Sequence, residues 1–592
     1  PDLDAIYQSS LALLGQQGGW PLTMFLTPAG DPFWGGTYFP PSEKYGRPGF
    51  PDVLRRLAEI YRDQQDKVAK NAAALRDALA NLAKPQTGGA IPLEMTDSLA
   101  ERLLSEIDPD HGGIGGAPKF PHVPAFELIW RGWKRLGDRR MHDAVIHTLT
   151  CMSQGGIYDH LGGGFARYAV DAKWLVPHFE KMLYDNAQLI ALLTLVWQET
   201  REGLFRDRVH ETVGWVLREM RAAPGNNGHR GFTSSLDADS EHEEGKFYVW
   251  SEADIDAALG TDADFFKTIY DVTEAGNWEA HNILNRTSHP APAHPDEEAS
   301  LLACRAKLFA LRAARVRPGW DDKVLADWNG LMIAALAAAA QAFDQPEWLA
   351  AAADALDFVA VTMTVDGRLT HSWRQGVARN PATLEDYACL AWAALALHEA
   401  TGDDRFLAQA GSWVATLDRH YWDPAGGGYF TTADDTRDVI VRTKNANDNA
   451  VPSGNGVMVG VLARLFHLTG LQDFQARADA LIAAFSGELN RNFLTLATML
   501  NNNELLQRAQ QIVIIGARGA ADTRALLAAV HGRSLPNRIL TVLAPGDELP
   551  AGHPAAGKSP IKGAATAYVC RGTTCSLPIV APSGLSQALA LG

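Results

Sequence analysis

The stretch His178-Phe179-Glu180-Lys181-Met182-Leu183-Tyr184-Asp185-Asn186 crowds ionisable and aromatic side chains immediately before an apolar run that reads as a helix. The same junction recurs at Leu325-Ala326-Asp327-Trp328-Asn329-Gly330-Leu331-Met332 and at Thr383-Leu384-Glu385-Asp386-Tyr387-Ala388-Cys389. It returns once more at Asn447-Asp448-Asn449-Ala450-Val451-Pro452-Ser453-Gly454-Asn455. Between these junctions lie amphipathic helical patterns and glycine loops such as Gly162-Gly163-Gly164-Phe165 and Gly426-Gly427-Gly428-Tyr429-Phe430. Internal echoes of this kind mark architectures built from repeated helical units. A helix that is apolar nearly all round is covered on both sides. Inner helices with polar amino-terminal ends, alternating with amphipathic outer ones, describe a mainly α fold: an (α/α)6 toroid over residues 89–507, its polar ends converging on one mouth.

The flanks read differently. Trp20–Leu26 and Pro32–Tyr38 are β-prone runs separated by the turn residues Thr27-Pro28-Ala29-Gly30-Asp31, which predicts a hairpin. One helix is expected from about Asp52 to Leu82, followed by the linker Lys84-Pro85-Gln86-Thr87-Gly88-Gly89. Residues 1–88 thus suit the second half of a thioredoxin fold, a truncated α/β piece preceding the toroid. Thiol chemistry is not expected of it, because exchange needs a thiolate and no cysteine precedes Cys151. At the other end, Gln511–Gly516, Ile539–Leu543 and Ala567–Cys570 read as buried strands with a helix at about 520–531. This makes residues 508–592 a small α/β unit, whose Gly-rich turn lacks the spacing of a dinucleotide fingerprint.

Composition bounds the function. The 592 residues exceed one growing core, and 46% hydrophobic with 21% charged residues is ordinary for a folded globular chain. A net charge of −16 without a basic stripe argues against nucleic acid, where phosphate contacts supply most of the affinity. Even the Ala-rich run 331–343 is too short to span a bilayer, so no membrane insertion is expected. Five sparse cysteines, mostly in apolar helical contexts, predict a reducing, cytoplasmic setting. The start at Pro1-Asp2 reads as an internal one.

The candidate site follows from the junctions. Pro177 suits a first helical position, and on that helix His178, Lys181 and Asp185 share one face while Glu180 and Tyr184 share a neighbouring one. Ionisable groups so placed are expensive to bury without a purpose, and two purposes stay open: a hydrogen-bonded structural network tying loop to helix, or a catalytic site. His178 is expected in the first helical turn, where the positive helix end lowers an imidazole's pKa, with Glu180 or Asp185 orienting it as general base or acid. Asp185, Asp327 and Asp386 are the carboxylates available for acid and base or nucleophile work. Sugar sites combine aromatic faces with carboxylates and amides. On that ground the substrate-binding set comprises Tyr158, Arg167, Trp174, Lys181, Tyr184, Asn186, Trp328, Asn329, Glu385, Tyr387, Asn449 and Asn455, together with Asp237 and Asp239 of the acidic loop. That loop has His242 where an EF-hand needs glycine. Cys570-x4-Cys575 has neither zinc spacing nor a histidine pair. No metal and no cofactor are assigned.

Several strings identify a resemblance that spans essentially the whole chain: Gly18-Gly19-Trp20-Pro21, Gly116-Ala117-Pro118-Lys119-Phe120-Pro121, Gly156-Ile157-Tyr158-Asp159-His160-Leu161-Gly162-Gly163-Gly164-Phe165, Trp174–Asn186, Asp237-Ala238-Asp239-Ser240-Glu241, Asp327-Trp328-Asn329-Gly330 and Cys570-Arg571-Gly572-Thr573-Thr574-Cys575. The chain resembles the YyaL/spermatogenesis-associated thioredoxin-domain family. The resemblance implies a thioredoxin-like domain followed by a toroid similar to N-acylglucosamine 2-epimerases and six-hairpin glycosidases. Two departures matter. The family's Cys-containing motif lies upstream of Pro1-Asp2-Leu3-Asp4, and glycine is expected where this chain has His242. The expected ligand is a sugar-like small molecule. The reading leaves open a sugar isomerase or epimerase, a glycoside hydrolase, and a non-catalytic binding or scaffold protein with a protein partner on the thioredoxin-like piece.

Overall fold

The computed structural model describes residues 2–44 and 46–590. Two compact units emerge. One comprises the residues up to Ala90 with Ala415–Ala446 and Ala480–Arg491; the other comprises Ile91–Val414, Asn447–Asp479 and the residues from Asn492 on.

In the first unit, helix α1 (Asp2–Leu13) precedes strands β1 (Thr23–Leu26) and β2 (Pro32–Gly36), which pair antiparallel as the expected hairpin. The sequence reading began at Trp20 and did not anticipate α1. The single helix expected over 52–82 is two, α2 (Phe50–Asp63) and α3 (Gln65–Leu82), broken where Gln64 leaves helical geometry. The break lets both helices lay Val53, Leu57, Val68 and Ala72 over Phe33 in one core. Residues 84–89 are not a free linker. Gln86 N–H donates to Glu488 Oε1 at 2.8 Å and Gly88 N–H to the Ala483 carbonyl at 2.8 Å.

The second unit is built on six helices: α4 (Val123–Leu136), α5 (Leu183–Thr200), α6 (Ala326–Phe343), α7 (Leu384–Thr401), α8 (Gly454–Thr469) and α9 (Ala497–Arg508). Each packs on the next, and α9 packs back on α4, so the inner layer closes into a ring. Helices α5 to α8 bury side chains on every face, as apolar helices covered on both sides must. Helix Arg139–Gln154 covers α4, Gly203–Glu219 covers α5, and Pro346–Thr362 covers α6. The fold is an (α/α)6 toroid. Between that last outer helix and α7 runs strand β3 (Arg368–Arg374), paired antiparallel with Val377–Pro381.

Strands β4 (Gln510–Ile515), β5 (Arg538–Leu543) and β6 (Thr566–Arg571) form a sheet with β4 central, parallel to β5 and antiparallel to β6. Cys570 and Cys575 are register partners at its edge and are joined as a disulfide. These two cysteines therefore depart from the reduced state that a reducing setting predicts. Among the described residues no helix is long and apolar enough to cross a membrane.

Candidate active site

Three inner helices bring carboxylates to the ring's mouth in their first turns: Asp185 on α5, Asp327 on α6 and Asp386 on α7. All four sequence junctions are neighbours there. Tyr184 meets Trp328 edge-on at 4.7 Å, the Asp327 N–H donates to Asp386 Oδ1 at 3.0 Å, and Gln188 Nε2 donates to the Ala450 carbonyl at 2.9 Å.

Asp386 is the hub. Thr383 caps α7 by donating its N–H (2.7 Å) and its hydroxyl (3.1 Å) to Asp386 Oδ2. His371 Nδ1, reaching across from β3, lies 3.0 Å from both carboxylate oxygens. Burial would lower the His371 pKa, but the charge and hydrogen bond of Asp386 outweigh it and raise it to about 9. Asp327, fully desolvated and repelled by Asp386, is pushed up to about 7. Among the described residues its Oδ1 accepts only the neighbouring Trp328 N–H, at 2.9 Å. Asp327, His371 and Asp386 offer ligand atoms all within 4.8 Å of one another, which is the composition of a cation site. Yet backbone and hydroxyl donors already surround Asp386, and His371 is held protonated, so the set suits protons better than a metal. His371 was not found by sequence reasoning. It sits in Leu369-Thr370-His371-Ser372-Trp373, an ordinary alternating strand, and only the fold places it against α7.

Beside this centre, Asp185 is buried with Oδ2 unpartnered among the described residues, and desolvation raises its carboxyl well above the usual range. Arg167 pairs with Glu180 at 3.1 Å. His178 differs from expectation. It lies in the two-residue strand Pro177–His178, while α5 begins at Leu183, so neither Pro177 nor His178 occupies a helical first turn. Its Nδ1 is 2.7 Å from Glu244 Oε1, its Nε2 is 3.7 Å from Glu180 Oε2, and its ring stacks on Tyr168. The carboxylates of Glu180 and Glu244 beside it raise the imidazole pKa rather than lowering it. Among the described residues no hydrogen bond, ion pair or ring contact joins His178 to Asp185, Trp328 or Asp386.

Comparison with known proteins finds relatives along the whole chain. A family model described as "Protein of unknown function, DUF255", of the thioredoxin DsbH type, matches residues 1–80, and the amino-terminal piece is thioredoxin-like. Spermatogenesis-associated protein 20 of Homo sapiens is 33% identical over 649 residues, covering 100% of this chain and 81% of the human protein. The chain belongs to the spermatogenesis-associated protein 20 family. Among solved structures it is similar to D-mannose isomerase (TM-score 0.43, 10% identity, 67% of this chain and 86% of that one). It is also similar to a GH76 alpha-mannanase of Bacteroides thetaiotaomicron (TM-score 0.38, 9% identity, 70% and 84%).

Much of the family's polar signature is occupied in holding the chain together. Asn186 Oδ1 accepts from Phe165 N–H at 2.7 Å while its Nδ2 donates to the Phe165 and Met182 carbonyls. Asn329 repeats the arrangement with Phe232 and Leu325, one helix on. Lys181 is buried, donating to Asp159 Oδ2 and the Gly163 carbonyl at 2.8 Å each. Lys119 makes the same clamp with Asp108 and the Gly112 carbonyl, and Lys444 with Asp423 and the Gly427 carbonyl. These clamps are the repeat behind the glycine loops, where positive φ at Gly163 (80°) or Gly427 (68°) excludes most other residues.

Trp174 is buried with Nε1 donating to the His111 carbonyl, and Tyr158 donates to Glu211. Tyr387 accepts from Leu369 N–H, and Asn455 is fully buried. Asn186, Asn329, Lys181, Trp174, Tyr158 and Tyr387 thus each make an internal contact. Glu385 keeps an unpartnered buried Oε2, and burial raises its carboxyl. Asp237, Asp239 and Asn449 are exposed. His242 takes a left-handed conformation (φ 66°) in the two-residue turn between Asp239–Ser240 and Glu243–Glu244, at the position where the resemblance expects glycine.

Proposed function

We propose that this chain is a carbohydrate-converting enzyme, an aldose–ketose isomerase or epimerase, with Asp327, His371 and Asp386 as its proton-transfer centre. One observation carries the reading: a carboxyl at about 7 beside an imidazolium at about 9, both buried and coupled through Asp386. A group titrating near neutral pH is matched to general acid–base work, which is worth roughly 10²–10⁴-fold in rate.

In this reading ionised Asp327 removes the proton α to the carbonyl of an open-chain sugar. His371 gives its proton to the carbonyl oxygen, forming an enediol, and the two groups return protons in the opposite sense. Asp386 touches no substrate; it holds His371 charged and fixes its orientation. Trp328 and Tyr184 offer aromatic surface beside it. The test is to incubate the protein with glucose, mannose or fructose in D₂O and follow deuterium at C2 by NMR. Exchange that is lost in Asp327→Asn and His371→Gln supports the reading; absence of exchange in the parent protein overturns it.

A second reading, glycoside hydrolysis, is favoured by Asp185 alone. A carboxyl whose proton affinity burial raises, with Oδ2 unpartnered among the described residues, is suited to leaving-group protonation. Release of nitrophenol from aryl glycosides, lost in Asp185→Asn with C2 exchange absent, would select it.

A further inference from the structure

The axis of the ring encloses a cavity of about 240 Å³, lined by residues of all six inner helices and by Leu535, Pro536 and Arg538 beside β5. Asp327, His371 and Asp386 are not among its lining residues. A water claims about 30 Å³ and drug-sized pockets begin near 300 Å³, so a space of this size suits a small organic molecule.

Exposure inside the ring tells which side chains face this space. In the stretches 183–196, 329–340 and 386–397 every residue is buried except Ala191, Leu195, Ala338, Trp392 and Ala396, and all five line the cavity. Ala191 and Leu195 lie four residues apart, as do Trp392 and Ala396, so α5 and α7 each turn one apolar stripe to the axis. Nearer the carboxy-terminal ends of the helices the lining becomes polar, at Gln341, Glu399 and Arg464.

These polar groups serve one another. Glu399 Oε1 accepts from Arg538 Nε at 2.8 Å, its Oε2 from the Leu540 N–H at 3.2 Å, and Gln341 Oε1 from Arg538 Nη2 at 3.2 Å. Arg131 pairs with Glu127 at 2.7 Å, and Arg464 has the charges of Glu399 and Glu127 beside it. The polar end is balanced within itself, and a charged ligand would surrender its hydration for no free counter-charge. The apolar stretch is equally unsuited to water, which needs about two to four polar partners where these side chains offer none. Apolar cavities stay dry and admit apolar guests, and folded interiors keep few voids larger than a water.

We propose that this cavity is a binding site for a compact, uncharged and mainly apolar organic molecule. Its body lies against the face of Trp392, between Ala191 and Leu195 of α5 and Ala338 of α6. The site is separate from the proton-transfer centre, and its assignment does not depend on that reading.

The test is calorimetric titration of the purified chain with indole, cyclohexanol, cyclohexanecarboxylate and glucose, with melting temperature followed in parallel. Indole or cyclohexanol should bind saturably at one site and raise the melting temperature. Cyclohexanecarboxylate, which has the same ring and a charge, should bind at least tenfold more weakly, and so should glucose. Ala338→Phe fills the space from α6 and should weaken the neutral probes at least tenfold. If that variant fails to fold, the smaller Ala396→Leu and Ala191→Leu carry the test, with the same loss expected of each. Neither Ala338 nor Ala396 touches the proton-transfer centre, so any C2 exchange of the parent should survive in the filled variants, which keeps the two proposals separable. No saturable binding of either neutral probe, cyclohexanecarboxylate or glucose binding as tightly as they do, or neutral-probe affinity untouched by the folded filling variants would overturn the proposal.

Discussion

Asp159 and Asp327 both hold buried carboxylates, the first on the glycine loop that Lys181 clamps and the second in the first turn of an inner helix. Asp159 faces Arg312 and Lys181, each 2.8 Å away, which overcome the effect of burial and hold its carboxyl well below the usual range. Asp327 has a single backbone N–H and the repulsion of Asp386, and it rises to about 7. The number of donors aimed at each oxygen separates a clamp from a centre that can trade protons. A saturated group is structural; an under-satisfied one beside a charge is chemically available.

Breaking the clamp should produce the largest loss. Lys181→Met strips one of two cations from buried Asp159 and takes the donor from the Gly163 carbonyl, and thermal or denaturant unfolding should show a loss of about 3 kcal/mol. A near-neutral result would place Asp159 among the available groups and erase the distinction.

The centre should reveal itself by its pH dependence. The folded-state pKa of His371 lies above its unfolded value of about 6.5, so its contribution is complete below pH 6.5 and is lost as pH rises through about 9. At about 1.4 kcal/mol per unit, the span is on the order of 3 kcal/mol. Asp327, also raised, adds a decline of the same sign between about pH 4 and 7. Stability measured from pH 6.5 to 9 should therefore fall, and His371→Gln should flatten that window while leaving the acid limb.

Smaller effects grade the remaining residues. Asn186→Ala and Asn329→Ala each orphan backbone groups of the incoming loop and should cost about 1–3 kcal/mol, with equal penalties showing that the two are equivalent positions of one repeat. His178→Ala removes partly exposed pairs with Glu244 and Glu180 and should change stability by less than about 1 kcal/mol. A collapse of activity in that variant would restore His178 to the centre.

The ring was legible because its signal is periodic and repeated. Apolar helices with polar first turns announce an inner layer, and Asp327 and Asp386 fell out of that pattern directly. A structural network tying loop to helix was one open reading of Lys181 and Asn186, but its partners Asp159 and Phe165, like Phe232 for Asn329, were not legible, since they come from loops that only the folded chain brings near. His371 was missed for a related reason. It reaches Asp386 from a hairpin fifteen residues upstream, and an alternating strand gives no hint of which side chain will meet a helix end. His178 misled because Pro177 imitates a helix start, whereas α5 begins at Leu183.

The most direct test of the central claim is deuterium incorporation at C2 of hexoses in D₂O, measured for the parent, His371→Gln and His178→Ala at neutral pH. We predict exchange in the parent, a loss of roughly 10²–10⁴-fold in His371→Gln, and near-parental exchange in His178→Ala. Exchange that survives His371→Gln but disappears in His178→Ala would contradict the assignment of the proton-transfer centre to Asp327, His371 and Asp386.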